Sequence, residues 1–371
     1  MEIKIGREEL YKSVSRVQSI IERRSNMPIL STVLLTAHAS EVNVSATDLE
    51  LGFQQIVSAD VIQDGSLSIS GRKLFEILKE SRASTFHIKE KDDNWVYISD
   101  DIARFNMACL PADEYPAFAE PEGVSLVETD GETISEMINK TIYSVTREDA
   151  GFKLSGVLMQ KIERDGNTFL RMVATDGHRL SLIDKPVAGL ESLELGDGIM
   201  IPKKGMSELN KMASEGGLLR IGFKDKNCVA KRENVLLIIR LLETRFPDYH
   251  AVIPEKREYV LHVDRVLILD AMRKMLILSN ERYKAVKIVL EDNNMELVST
   301  NPDLGEAQEN IKIDYLGERL EAGFNPQYFL ETLQSMESEI IHMAFIDNSK
   351  PCILTGEADE GFLGLLMPMR L

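Results

Sequence analysis

Ala174-Thr175-Asp176-Gly177-His178-Arg179-Leu180 decides how this chain reads, because the chain says it more than once. Ala46-Thr47-Asp48-Leu49 precedes it, and Ser299-Thr300-Asn301-Pro302 repeats it in worn form. The three threonines stand 128 and 125 residues apart, about one small domain each.

Other landmarks keep step. Arg72-Lys73, Lys203-Lys204 and Asn325-Pro326 fall 25, 28 and 25 residues after their threonine. Each opens a helix-like run: Leu74 to Glu80, Met206 to Met212, Tyr328 to Met336. An apolar strand precedes each threonine, at Val33 to Ala37, Val157 to Gln160 and Val286 to Leu290. Tyr115-Pro116 and Phe246-Pro247 place their prolines 69 and 72 residues after it. The chain is one unit written three times, with expected boundaries at 1–122, 123–255 and 256–371.

Working outward, each unit opens on a short strand followed by a helix. Glu2 to Ile5 leads into Arg7 to Arg24, where Leu10, Val14, Val17 and Ile21 recur at helical spacing and Ile20 widens the stripe. Leu126 to Glu128 leads into Ile134 to Val145, and Tyr259 to His262 into Val266 to Leu278. The intervening runs, such as Val42-Asn43-Val44 and Leu67-Ser68-Ile69, are short, β-rich and bounded by Ser, Asn, Asp and Gly. Two helices and about eight strands per unit make an α+β fold of three repeated two-helix/antiparallel-sheet domains.

The 371 residues carry a net charge of −17, which taken whole argues against nucleic acid. The charge is segregated, however. The six helical segments sum to +5, leaving −22 for everything else. Helices tolerate Lys and Arg well, so composition alone leaves two readings open: a solvated face, or a basic helical face that follows phosphates without reading bases. Cys109, Cys228 and Cys352 are scattered and odd in number, which points away from a disulfide framework or zinc site and toward a reducing, cytoplasmic setting. No signal pattern or membrane span is legible.

Phosphate-loop, dinucleotide, HExxH and GxSxG signatures are all absent, so no catalytic residue, cofactor or metal is expected. Asp176, His178 and Arg179 could form a general base with its orienting carboxylate. But Asp-Gly between two β runs is turn chemistry, and the first copy has no His, which favours a structural or binding role. The end, Leu363 to Leu371, is apolar where chain ends are usually polar, so it docks, either completing a core or bordering a groove.

Together Ala174 to Leu180, Arg245-Phe246-Pro247-Asp248-Tyr249, Leu278-Ser279-Asn280-Glu281 and Met367-Pro368-Met369-Arg370-Leu371 resemble the bacterial sliding-clamp family, the β subunits (processivity factors) of DNA polymerase III, over the whole chain. That resemblance implies the DNA clamp fold and a non-enzymatic, head-to-tail homodimer closed into a ring around duplex DNA. Twelve helices at ~9 Å spacing give a circle of axes ~35 Å across. Subtracting one helix diameter of ~10 Å leaves ~25 Å, loose around a duplex.

The resemblance also assigns residues. DNA contact falls to Arg24, Arg72, Glu148, Phe152 and Lys153, the last standing where members often have a second aromatic; the charge argument adds Lys79, Arg82, Lys203 and Lys204. A partner-peptide pocket falls to Leu154, Thr175, Gly177, His178, Arg179, Leu180, Pro247, Val252, Asn325, Tyr328, Leu365, Met367, Pro368, Met369 and Arg370. Its ligands are short apolar motifs, anchored by leucine and an aromatic, on replicative and repair polymerases and other proteins. Lys73, Arg104, Phe105 and Met107 would meet Ile277, Leu278 and Glu306 of the other copy. A separate ATP-driven clamp loader is implied as well. The rival classes are a hydrolase or transferase using Asp176, His178 and Arg179, and an inert repeat scaffold.

Overall fold

The computed structural model describes residues 1–21, 26–91, 94–116, 120–146, 155–279 and 284–370. Among them one element order occurs three times: strand, helix, four strands, helix, three strands. The helices are α1 (Arg7–Arg16), α2 (Gly71–Glu80), α3 (Gly131–Asn139), α4 (Lys203–Ala213), α5 (Arg265–Ile277) and α6 (Pro326–Ser335). Ser70, Asp130, Asp264 and Asn325 start α2, α3, α5 and α6, each side-chain oxygen accepting a backbone N–H of the first turn. Each such cap is worth about 1 kcal/mol.

Two expected helices are shorter than their apolar stripe. α1 ends at Arg16 and the chain tightens into a 3-10 turn, Val17–Ser19, rather than continuing to Arg24; Val17, Ile20 and Ile21 are still buried. α3 ends at Asn139, and a second 3-10 turn, Ile142–Ser144, replaces the helix expected to reach Val145.

The chain divides into two compact units. One comprises Met1–Thr129, Ser192–Glu194 and Leu218–Leu241, and holds a twelve-stranded antiparallel sheet with α1 packed on α2. Tyr11 and Phe75 stack across those helices with ring centroids 5.4 Å apart. The other comprises Asp130–Glu191, Leu195–Gly217 and Leu242–Leu371, with an eight-stranded sheet, a four-stranded sheet, and the pairs α3 with α4 and α5 with α6. The second repeat thus contributes to both units.

Within each unit one sheet runs on from repeat to repeat. The fourth strand of the first repeat, Leu51–Gln63, pairs with the eighth of the second, Val235–Arg240, from Leu51↔Ile239 to Gln55↔Val235. The fourth strand of the second, Arg179–Lys185, pairs with the eighth of the third, Phe362–Leu366, from Arg179↔Leu366 to Ile183↔Phe362. The fourth strand of the third repeat, Gly305–Lys312, is a sheet edge. The eighth strand of the first, Arg104–Leu110, pairs with Trp95–Ser99 on one side and on the other only at Cys109 and Leu110.

The repeated turn explains the repeated sequence. Thr47 Oγ1 donates to Leu51 O at 2.7 Å and accepts Leu49 N at 3.0 Å, while Asp48 Oδ1 accepts the N–H groups of Glu50 and Leu51. Thr175 does the same with Arg179 O and Gly177 N, and Asp176 Oδ1 with His178 and Arg179 N. Gly177 sits at φ +85°, where glycine is at ease; Leu49, its counterpart, is held at φ +75°. In the third repeat the Asx bond persists, Asn301 Oδ1 accepting Asp303 N, while Thr300 Oγ1 donates to Glu306 Oε2 at 3.3 Å instead of to the backbone.

Cys109, Cys228 and Cys352 are buried free thiols. No described helix is long and apolar enough to cross a membrane.

Candidate peptide groove and basic helix faces

Arg179 organises the most elaborate polar site. It follows the Thr175-Asp176-Gly177 turn directly, and its backbone is fixed in register opposite Leu366. The side chain is buried. Its Nε donates to Asp176 Oδ2 at 3.1 Å, its Nη2 to Tyr143 O at 2.6 Å, and its Nη1 lies 2.5 Å from Glu331 Oε2. The guanidinium lies 4.6 Å from the ring centre of Tyr328 and 5.3 Å from that of Tyr143. A desolvated cation needs such company: two carboxylates, a carbonyl and two ring faces.

His178 is exposed, its ring stacked on Tyr328 at 6.4 Å between centroids. Tyr328 is reached because Asn325 caps α6 and Tyr328 falls in its first turn. Burial, then the nearby Asp176 carboxylate, raise the Tyr328 hydroxyl pKa, so the ring stays neutral. Asp176 is committed to two backbone N–H groups and Arg179, rather than to the His178 imidazole that a general-base reading would have it orient.

Beside this cluster lies an apolar floor. Leu158, Val173, Leu180, Leu182, Met200, Tyr249 and Leu365 form one buried cluster, with Leu242, Phe246, Ile253, Leu363 and Met367 packed on it. Leu180 pairs with Leu365 and Leu182 with Leu363, so the chain end supplies one wall. It is tied down by Met367 N donating to His178 O at 2.9 Å and Met369 N to Gly323 O at 2.8 Å. The apolar terminus completes a core, and Leu363 at its start also lines a cavity.

The structure therefore brings together Thr175, Gly177, His178, Arg179, Leu180, Asn325, Tyr328, Leu365 and Met367. Pro247 and Val252 are exposed on the stretch whose Phe246, Tyr249 and Ile253 pack on the floor. Pro368 and Met369 are half-buried and Arg370 is exposed. Leu154 lies outside the described residues. Sequence reading missed Tyr143 and Glu331, which hold Arg179, and Leu158, Val173 and Leu182, whose alternation along their strands was the available signal.

Of the DNA-contact residues, Arg72 and Lys79 are exposed on α2, and Arg82 is exposed just beyond it. Arg72 and Lys73 share Glu76, at 2.9 and 2.7 Å; bonds from Lys73 and then Arg72 hold that carboxyl below its ordinary pKa. Lys203 and Lys204 open α4, with Lys203 Nζ donating to Val145 O at 3.3 Å. α2 and α4 are the same helix of successive repeats; α6, the third such helix, has no Lys or Arg. Arg24, Glu148, Phe152 and Lys153 lie outside the described residues. Arg104 is exposed and Phe105 and Met107 are half-buried on the part-open strand Arg104–Leu110. Ile277 ends α5 with 75% exposure, Leu278 follows it, and Glu306 is exposed on the sheet edge.

Family models of the DNA polymerase III beta subunit match the chain in succession: the N-terminal domain over residues 1–119, the central domain over 128–248 and the C-terminal domain over 250–370. The Beta sliding clamp of Haemophilus influenzae is 30% identical over 376 residues, and that of Caulobacter vibrioides strain NA1000 29% over 374, with both chains fully covered in each case. Among solved structures, a DnaN sliding clamp from Bartonella birtlesii bound to griselimycin superposes with a TM-score of 0.94 at 28% identity, covering all of both chains. The DNA polymerase III beta subunit of Thermotoga maritima does so at 0.90 and 25%, covering 100% of this chain and 99% of its own.

Proposed function

The chain belongs to the DNA polymerase III beta-subunit family, and from that premise we propose that two copies close head to tail into a ring that encircles duplex DNA and tethers polymerases to it. The fold is the three-domain clamp fold, and the role is that of a sliding clamp in DNA replication. One observation carries the ring. The fourth strand of one repeat joins the eighth strand of the next at both junctions inside the chain; of the strands that would make the third such junction, Gly305–Lys312 is a sheet edge and Arg104–Leu110 is paired along one side and, on the other, only at Cys109 and Leu110. An unpaired edge demands a partner, and the same junction made between two copies supplies it. Ile277, Leu278 and Glu306 then face Lys73, Arg104, Phe105 and Met107 of the other copy. Two chains of three repeats leave no edge of this kind.

The basic residues of α2 and α4, with Arg24 and Lys153, hold DNA by sequence-independent phosphate contacts, and Glu148 and Phe152 belong to the same DNA-contact loop as Lys153. Because retention is topological, those contacts can be weak enough to slide. The groove beside Arg179 takes the short apolar motif of polymerases and of the separate clamp loader, leucine and an aromatic settling on the floor formed by Leu180, Leu365 and their neighbours. The protein acts in the cytoplasm as a tether rather than a catalyst. The test is solution mass by light scattering, with retention on nicked circular DNA, in the presence of loader, before and after linearisation. Two chains per particle and release only on linearisation support the ring; a monomer, or retention that ignores topology, refutes it.

A further inference from the structure

The groove floor does not stop where the apolar residues do. Along Arg179–Lys185, Leu180, Leu182 and Asp184 share one face, and opposite them run Leu365, Leu363 and Gly361. A cavity of about 540 Å³ opens here, past Ile253, lined by Leu182 and Leu363 and by Arg164, Arg171, Asp184 and Arg257. Gly361, at φ +81°, lets the two strands approach: its carbonyl accepts Asp184 N at 3.1 Å, and a Cβ there would lie 2.1 Å from Asp184 O.

The charges at this end do not cancel. Asp184 is buried and already gripped by Arg171, at 2.6 and 2.7 Å. Arg171 also donates to the Tyr249 hydroxyl at 3.2 Å, which ties the 242–253 stretch to the floor. Arg164 lies 3.4 Å from the same carboxylate, stacks 4.7 Å over Phe169 and keeps half its surface in water. Arg257 is exposed, and Glu255 stands on the rim. Three guanidiniums therefore face two carboxylates, on a chain of net charge −17.

We propose that this end binds the carboxylate of an acidic residue in the partner segment flanking the apolar motif, with Arg164 and Arg257 as its ligands. The inference rests on the groove reading given above. Four residues of strand separate Leu180 from Asp184, about 13 Å, so an extended peptide places its acidic residue about four positions from its anchor. The overall negative field repels acidic peptides, so a gain from an acidic flank can only be local.

Fluorescence anisotropy on the full chain tests this with three labelled peptides carrying the same leucine and aromatic anchors. Two have Glu-Glu four positions away, one on each side of the anchors, and the third has Gln-Gln at both places. The expected result is about fivefold tighter binding of one Glu-Glu peptide at low salt, the size of a half-exposed charge-assisted bond. That gain disappears in the Arg164→Gln, Arg257→Gln double variant, whose affinity for the Gln-Gln peptide is unchanged and so reports an intact groove. Equal affinity of all peptides for the unaltered protein, or a gain that survives in the variant, overturns the proposal while leaving the groove standing. Binding of none of the peptides overturns both.

Discussion

Lys140 and Asp359, 219 residues apart in sequence, form a fully buried ion pair. Lys140 directly follows α3 in the second repeat; Asp359 lies in the turn between strands Cys352–Gly356 and Phe362–Leu366 of the third. Asp359 also accepts the N–H groups of Glu337 and Ser338 and the Ser338 hydroxyl. A buried charge stripped of its partner is costly, so Lys140→Met should lower unfolding free energy by about 3–5 kcal/mol in a urea titration. Adding Asp359→Asn should return part of that loss.

The same pair sets an acid limit. Burial pushes the Asp359 carboxyl up, but Lys140, then Ser338 and the two backbone N–H groups, outweigh it and hold the pKa below the ordinary 3.8. A depressed folded pKa contributes stability above the unfolded value and loses it as pH falls through the folded one. Thermal melts from pH 5 downward should therefore decline less steeply in the double variant than in the unaltered protein.

An alkaline limit comes from Tyr115. Burial raises its hydroxyl from 10.0 to about 12, while the N–H of Thr47 donates to its oxygen at 3.2 Å. A raised folded pKa means stability is full below pH 10 and is lost between about 10 and about 12, by roughly 2–3 kcal/mol. Tyr115→Phe should flatten that alkaline decline and cost about 1–3 kcal/mol at neutral pH, because Thr47 N–H loses its partner.

Leu49 holds a left-handed backbone that costs a residue with a Cβ about 1–2 kcal/mol. Its side chain is 53% exposed, so little packing is lost on truncation. Leu49→Gly should leave the protein as stable or up to about 1 kcal/mol more so, the unfolded-state entropy of glycine offsetting part of the relief. A lower melting temperature would contradict this.

His178→Ala should weaken binding of an apolar-motif peptide about tenfold, through loss of the Tyr328 stack, and leave retention on circular DNA unchanged. Ile277→Asp should shift the solution mass toward one chain and abolish that retention, with the peptide affinity intact. Peptide titration and light scattering on each variant separate the two sites.

The repeats were legible because a Thr-Asp turn needs those side chains: Thr175 and Asp176 satisfy four backbone bonds between them, and Thr47 and Asp48 satisfy the same four. The ends of α1 and α3 were not, because a 3-10 turn buries Val17 in the same apolar stripe that a longer helix would. Leu49 gave no sign of its φ, since nothing local distinguishes a leucine that tertiary contacts hold left-handed. Arg171 and Asp184 lie on neighbouring strands, and only the antiparallel register, Arg171↔Asp184, puts them opposite each other. The place of Arg179 directly after the Thr175-Asp176 turn was legible from its motif, but the carbonyl of Tyr143 and the carboxylate of Glu331 that hold it come from distant stretches.

The continuous sheet has a mechanical meaning. In a closed pair of chains, four of the six joints between repeats are backed by covalent chain, which holds the repeats together even if the strands part. At the other two, strand pairing and the side chains around Ile277 bear the whole load. Tension carried around such a ring would pass through all six joints alike, so the two without covalent backing would part first and could reclose with every intrachain joint still in register.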